Sequence, residues 1–230
     1  MKFLDNYITE QFLTIQGEGR SVGKLAYFIR FAGCNLWCQW CDSLHSVDPK
    51  LYKERRFFID YEKIPKNCQL IVLTGGEPTL FDLESVRERL LIDHPQRLFE
   101  VESNATQFPA EIVDHYFWNL SPKLRSSLQK NQAYDDKRLI ALEKWAHYSQ
   151  NNPKVIFKFV VSSSADLNEV DELVRTYHLN PTQVYLMAEG SKKEQQQLAQ
   201  VEWVIEACKI RGMNFSPRLH TMFWGDQRGV

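Results

Sequence analysis

The chain has 230 residues, of which 43% are hydrophobic, 13% aromatic and 25% charged, a composition that excludes disordered and fibrous proteins and allows a substantial core. A net charge of -1, from 28 basic and 29 acidic residues, removes any general electrostatic drive toward nucleic acid or an anionic membrane. No apolar run is long enough for a signal peptide or a bilayer span, so a cytoplasmic protein with no membrane partner is the expectation.

Along the chain, Gln16-Gly17-Glu18-Gly19 is met first, and taken alone it reads as a surface turn. A strand is predicted over Leu25 to Phe31, and Arg30 near its end reads by itself as a salt-bridge partner. Three of the five cysteines then crowd into eight residues, Cys34, Cys38 and Cys41, in a Cys-x3-Cys-x2-Cys array. An odd cysteine count in a reducing compartment argues for metal ligation or redox chemistry rather than a disulfide framework. Thiolates are soft ligands suited to iron-sulfur clusters, and close spacing lets one loop wrap a cubane. Three local ligands leave one iron open to chelate a small molecule, whereas a structural zinc site normally takes a fourth protein ligand. His45, Cys68 or Cys208 could supply that fourth ligand, so zinc stays open as an alternative.

A second strand, Gln69 to Leu73, runs into Thr74-Gly75-Gly76-Glu77-Pro78. Paired glycines permit close backbone approach to a ligand, and Glu77 could accept a hydrogen bond from its amino group. Pro78 equally suits the first turn of a helix, so a plain strand-to-helix turn is the competing reading. Further strands are predicted at Leu98 to Glu102, Phe117 to Leu120, Val155 to Val161 and Gln183 to Met187. Helical patterns lie at about Leu83 to Leu91, Pro109 to His115, Asp135 to Tyr148, Leu167 to Tyr177 and Lys192 to Arg211, the last closed by Gly212. Such β/α alternation builds a parallel sheet with helices packed outside it, and reaction centres then sit at the C-terminal strand ends. Six strands are too few for a full eight-stranded barrel. A partial (β/α)6-type barrel in one domain, residues 1–230, is the expected α/β fold. No internal repeat or low-complexity linker interrupts it.

The cysteine array and the Gly-Gly-Glu-Pro segment resemble the signatures of the radical S-adenosylmethionine (SAM) superfamily. Glu102-Ser103-Asn104 and Ser121-Pro122-Lys123, which alone read as polar turns, resemble its SAM-contacting segments. Glu10 to Gly19, Phe28-Ile29-Arg30-Phe31 and the C-terminal Leu219-His220 are similar to the 7-carboxy-7-deazaguanine synthases, over nearly the whole chain. The resemblance implies conversion of 6-carboxy-5,6,7,8-tetrahydropterin to 7-carboxy-7-deazaguanine with loss of ammonia, a radical ring contraction begun by hydrogen abstraction at C6 and leading toward queuosine. It implies a 4Fe-4S cluster on Cys34, Cys38 and Cys41, with SAM contacts from Trp40, Asp42, Gly75, Gly76, Glu77, Ser103, Asn104, Ser121, Pro122 and Lys123. Substrate contacts are implied at Ile15, Gln16, Gly17, Glu18, Arg30, Thr74 and His220, with Arg30 paired to the pterin carboxylate. A magnesium ion (Mg2+) at Ser43, an external electron donor and a homodimer complete the implication.

Two positions depart from the family pattern: Ser43 stands where threonine is usual, and Ala105 where glycine is usual. Two alternatives remain at this point. A glycyl-radical activating enzyme also uses Cys-x3-Cys-x2-Cys, although Gln16 to Gly19 argues against it. A zinc-bound nucleic-acid module is disfavoured by the balanced charge.

Overall fold

The structure is a computed structural model that describes residues 5–128 and 137–230. Among the described residues nine strands form one sheet: β1 (Tyr7–Ile15), β2 (Leu25–Phe31), β3 (Phe57–Phe58), β4 (Leu70–Gly75), β5 (Leu98–Ser103), β6 (Phe117–Leu120), β7 (Val155–Val161), β8 (Val184–Ala188) and β9 (Asn214–Phe215). Their spatial order is β3-β1-β2-β4-β5-β6-β7-β8-β9. From β2 to β9 every pairing is parallel, while β1 runs antiparallel to both β2 and β3. The two ends of this order are not paired with each other, so the sheet is an open, partial barrel.

The six strands expected from sequence form the consecutive parallel body β2-β4-β5-β6-β7-β8. Their residues are nearly all buried, which follows from coverage of both faces. One face carries the main core: Ile29, Leu73, Val101, Trp118, Phe157 and Leu186 pack against the helices. Its largest members, Trp118 and Trp145, lie with ring centroids 4.7 Å apart, and each indole N–H donates to a carbonyl, of Val113 and Gln107 respectively. On the opposite face a smaller apolar group, Ala26, Phe28, Leu70 and Val72 with Phe12, makes the floor of the barrel interior.

The helices are α1 (Leu44–Val47), α2 (Pro49–Tyr52), α3 (Leu83–Asp93), α4 (Lys137–Ser149), α5 (Ser164–Tyr177), α6 (Leu198–Arg211) and α7 (Leu219–Trp224). Among the described residues, no helix is long and apolar enough to cross a membrane. Gly212 ends α6 in the left-handed region at φ 64°, and its N–H donates to the Cys208 carbonyl. Two predicted helices need correction. Pro109 to His115 holds only a 3-10 turn at Val113–His115. The expected helix over Lys192 to Arg211 is broken at Gln197, whose backbone is extended (ψ 152°), because the neighbouring Gln196 amide turns away to donate to the Gly190 carbonyl at 2.9 Å. The first two residues of the helix predicted from Asp135 lie outside the described residues.

Candidate active site

Loops from the C-terminal strand ends open on one cavity of about 590 Å³, within the size range of small-molecule sites. One wall belongs to the loop after β2. Cys34, Cys38 and Cys41 are all free, partly exposed and on the cavity surface. The loop is strapped from two sides. Asn35 accepts from Asn104 Nδ2 at 2.9 Å and donates to Thr106 at 2.7 Å; Gln39 N–H and Trp40 Nε1 donate to the Ser127 and Ser126 carbonyls at 2.9 and 3.1 Å. Lys123 lies 5.6 Å from the Trp40 ring centre and donates to Ser121.

The glycine pair after β4 fits tightly beneath this loop. A Cβ on Gly76 would stand 1.9 Å from the Gly33 oxygen, and one on Gly75 would stand 2.4 Å from the Phe31 backbone. Their close approach is therefore to the cysteine loop itself, which Glu77 N–H then holds through a 2.8 Å bond to the Gly33 carbonyl. The Glu77 side chain is placed differently from the sequence expectation. It is fully buried and off the cavity wall, and its carboxylate accepts from Thr79 N–H and hydroxyl, Ser103 Oγ and Asn104 N–H at 2.6 to 3.0 Å. In this structure Glu77 shapes the turn. Pro122 likewise is not on the wall, while every other residue expected at the cluster, SAM, substrate or magnesium is; Cys68, Cys208 and Ala105 lie off it. Ala105 sits at φ 63°, a left-handed backbone that explains why glycine suits this position.

The opposite wall is charged. Glu18, after β1, is largely covered and held between Lys158 Nζ and Arg218 Nε, the latter at 3.1 Å, with His220 Nε2 at 3.7 Å. Burial alone would raise its pKa; Lys158 and Arg218 overcome that and hold the carboxyl far below the usual range. Burial dominates at His220 and keeps its imidazole below its ordinary value, so it is neutral at pH 7. Arg30 donates to Glu10 Oε2 at 3.0 Å and to Ser43 Oγ at 3.3 Å while facing the cavity. Ser43 makes no capping bond to α1; its hydroxyl instead meets Asp42 Oδ1 at 3.0 Å.

Beneath Gln16 lies a buried polar layer absent from the sequence reading. Gln16 Nε2 donates to Glu100 and Glu102 at 3.1 and 2.9 Å, and its Oε1 accepts from Glu18 N–H at 3.1 Å. Glu102 also accepts from Thr74, and Glu100 from Ser21 and Asn119. Glu100 and Glu102 sit two apart on β5, so both side chains point inward, as does Lys158 from the otherwise apolar β7. A charge inside a buried strand was the available signal.

Glu100 is fully buried, and burial, reinforced by Glu102, pushes its pKa up to about 7. An unfolded glutamate ionises near 4.5, so the proton bound by the folded state adds stability that is complete below that pH and lost as pH rises toward 7. Glu100→Gln keeps the shape and can donate to Ser21. It should match the wild type near pH 4.5 and exceed it by roughly 3 kcal/mol at pH 8, at 1.36 kcal/mol per pKa unit. Denaturant melts across this range check it; a difference independent of pH rules it out.

The donor set on the first wall fits a cluster: three thiols of one loop share the cavity surface, with no disulfide competing for them. Burial, then the Glu77 charge, pushes the Cys34 thiol up to about 12, so ligation there must expel a proton. Among the described residues, no three His, Cys, Asp or Glu side chains are gathered in an arrangement that would hold a single metal ion.

No protein-family model matches the chain. A 7-carboxy-7-deazaguanine synthase from Pyrobaculum aerophilum is 31% identical over 231 residues, covering 96% of each chain. The enzyme of that name from Rhodopirellula baltica is 31% identical, covering 97% of this chain and 88% of its own. In fold, the crystal structure of QueE from Escherichia coli is similar with a TM-score of 0.66 at 22% identity, over 92% of both chains.

Proposed function

The chain belongs to the 7-carboxy-7-deazaguanine synthase family and carries out that family's reaction, and we propose that it does so in the cavity just described. That reaction takes 6-carboxy-5,6,7,8-tetrahydropterin to 7-carboxy-7-deazaguanine with loss of ammonia, and the family's radical SAM character implies a 4Fe-4S cluster and SAM. The observation that carries this placement is the shared cavity, with three thiols on one wall and a charged, hydrogen-bonding group on the other. When bound, the cluster and SAM supply the hydrogen abstraction that starts the rearrangement.

Cys34, Cys38 and Cys41 would hold the cluster. Trp40, Asp42, Ser103, Asn104, Ser121, Lys123 and the Gly75-Gly76 backbone line the same side and would hold SAM. The pterin would lie toward β1. There Glu18, kept ionised by two cations, accepts from ring N–H groups, and neutral His220 offers one donor and one acceptor. Arg30 has donors left beyond Glu10 and Ser43 for the substrate carboxylate. Ser43, on the cavity wall rather than capping α1, would offer magnesium a hydroxyl, with the substrate and water completing a hard-oxygen shell. The electron donor is external, and the working unit is a homodimer; light scattering that gives a monomer mass would remove the latter.

The test is anaerobic reconstitution with SAM, a chemical reductant and the carboxytetrahydropterin, followed by product mass analysis. 7-Carboxy-7-deazaguanine and ammonia are the expected products. Unchanged pterin in the presence of an intact, reduced cluster overturns the reading. Magnesium titrated into the metal-stripped enzyme should raise turnover in the wild type, with more metal needed in Ser43→Ala; identical curves leave Ser43 as a turn residue.

A further inference from the structure

The open side of the barrel lies between the β3-β1-β2 end of the sheet and the β8-β9 end. Among the described residues no strand pairing closes it. The segment before α7 reaches across instead: Gly19 N–H donates to Ser216 Oγ at 2.9 Å, and Leu219 N–H donates to the Gly17 carbonyl at 3.1 Å. At its centre is Arg218, only 5% exposed. Its guanidinium joins three loops. Nε donates to Glu18 Oε1 at 3.1 Å, Nη1 to the Gly190 carbonyl at 2.7 Å, and Nη2 to Asp42 Oδ2. Glu18 follows β1, Asp42 directly follows the last cysteine of the β2 loop, and Gly190 follows β8.

We propose that Arg218 is a positioning residue that latches the open barrel and fixes Glu18 and Asp42 relative to each other, so that the substrate wall and the cysteine wall form as one site. This deepens the functional reading above and rests on it. The argument is geometric. A planar fork with five donors can serve three acceptors in different directions at once, which an ammonium on a flexible stem does with less orientation. Arg218 is also the direct link between Glu18 and Asp42. Lys158 grips Glu18 from β7 but makes no bond to the cysteine loop among those found for the described residues. Without Arg218, Glu18 keeps one cation but loses the contact that sets its orientation toward the pterin.

The experiment compares wild type, Arg218→Lys and Arg218→Met as reconstituted enzymes with SAM. It reads KM and kcat for the carboxytetrahydropterin, calorimetric affinity for the product, iron content and the thermal midpoint. The latch requires KM and the product Kd to rise by about tenfold or more in Arg218→Met, with Arg218→Lys between it and the wild type, and KM to rise more than kcat falls. A merely structural arginine would lower the midpoint and the active fraction while leaving KM and Kd where they are, and that outcome overturns the proposal. If Arg218→Met does not fold, Arg218→Lys alone decides by the same criterion. Failure of the functional reading looks different: the wild type itself then neither turns over the pterin nor binds the product.

Discussion

Replacing any one of Cys34, Cys38 and Cys41 by alanine is expected to remove the iron-sulfur absorbance of the anaerobic protein and reduce turnover to background. A cubane held by three thiolates, with its fourth iron committed to a small molecule, keeps only two anchors after such a change, and neighbouring loop residues offer no replacement thiolate. The fold should survive, because the loop is held independently by the Asn35 bonds to Asn104 and Thr106 and by the Gln39 bond to Ser127. Circular dichroism and the thermal midpoint of the metal-free variants should therefore match those of the metal-free wild type. Cys68→Ala and Cys208→Ala are the controls. Both thiols are buried away from the cavity and donate to backbone carbonyls, of Leu70 at 3.3 Å and Asn214 at 3.2 Å. Their loss should cost some stability and no iron. Full iron retention in all three loop variants, or iron loss in either control, would remove the ligand assignment. Zinc without sulfide in the wild type would do the same.

What the sequence made legible follows from how each element is covered. The parallel strands β2, β4, β5, β6, β7 and β8 are short apolar runs because both their faces are buried, and such runs stand out against helical patterns. Strand β1 does not read that way. Most of its nine residues are only partly buried, and Thr9, Glu10, Gln11 and Thr14 break its apolar character. β3 and β9 have two residues each and exist only through their neighbours, Tyr7 against Phe58 and Leu186 against Phe215. Pro109 to His115 carries a helical pattern that tertiary structure overrides, leaving a single 3-10 turn before β6.

In the site, the cysteine array was readable as a candidate because its spacing is local, and the fold brings Cys34, Cys38 and Cys41 onto one cavity surface. The buried polar layer was not. Glu100 meets Gln16 and Asn119, and Lys158 meets Glu18, across separations of 84, 19 and 140 residues. Nothing local specifies such partners. A buried strand containing a charge announces that a partner exists without naming it, and Arg218, two residues before the histidine already singled out, gave no sign of joining three loops.

Glu18→Gln is expected to be the most damaging single change outside the cysteine loop. Glu18 is the shared counter-ion of Lys158 and Arg218, both of them buried. Glutamine keeps the shape but supplies one neutral oxygen and turns an N–H2 toward one of the cations. Removing one member of a buried charge cluster leaves the others uncompensated, at about 3–5 kcal/mol. For a chain of this length that corresponds to roughly 10 °C in thermal midpoint. Pterin affinity should fall as well, because the amide cannot present two acceptor oxygens to ring N–H groups. The pH dependence separates this residue from Glu100. Glu18 has a depressed pKa, so its contribution is present above the unfolded value of 4.5 and is lost only in strong acid. The cost of Glu18→Gln should therefore be level between pH 6 and 9, whereas Glu100→Gln changes from neutral to stabilising as pH rises. Adding Lys158→Met should recover part of the loss, since it removes a cation that no longer has its main partner; Glu102 keeps its bonds from Thr74 and Gln16. Thermal melts of the single and double variants at pH 6, 7.5 and 9 provide the measurement. A double variant no more stable than Glu18→Gln alone would mean that Lys158 is held by the surrounding polar layer rather than by Glu18, and the charged wall would then have to be redrawn around Glu102.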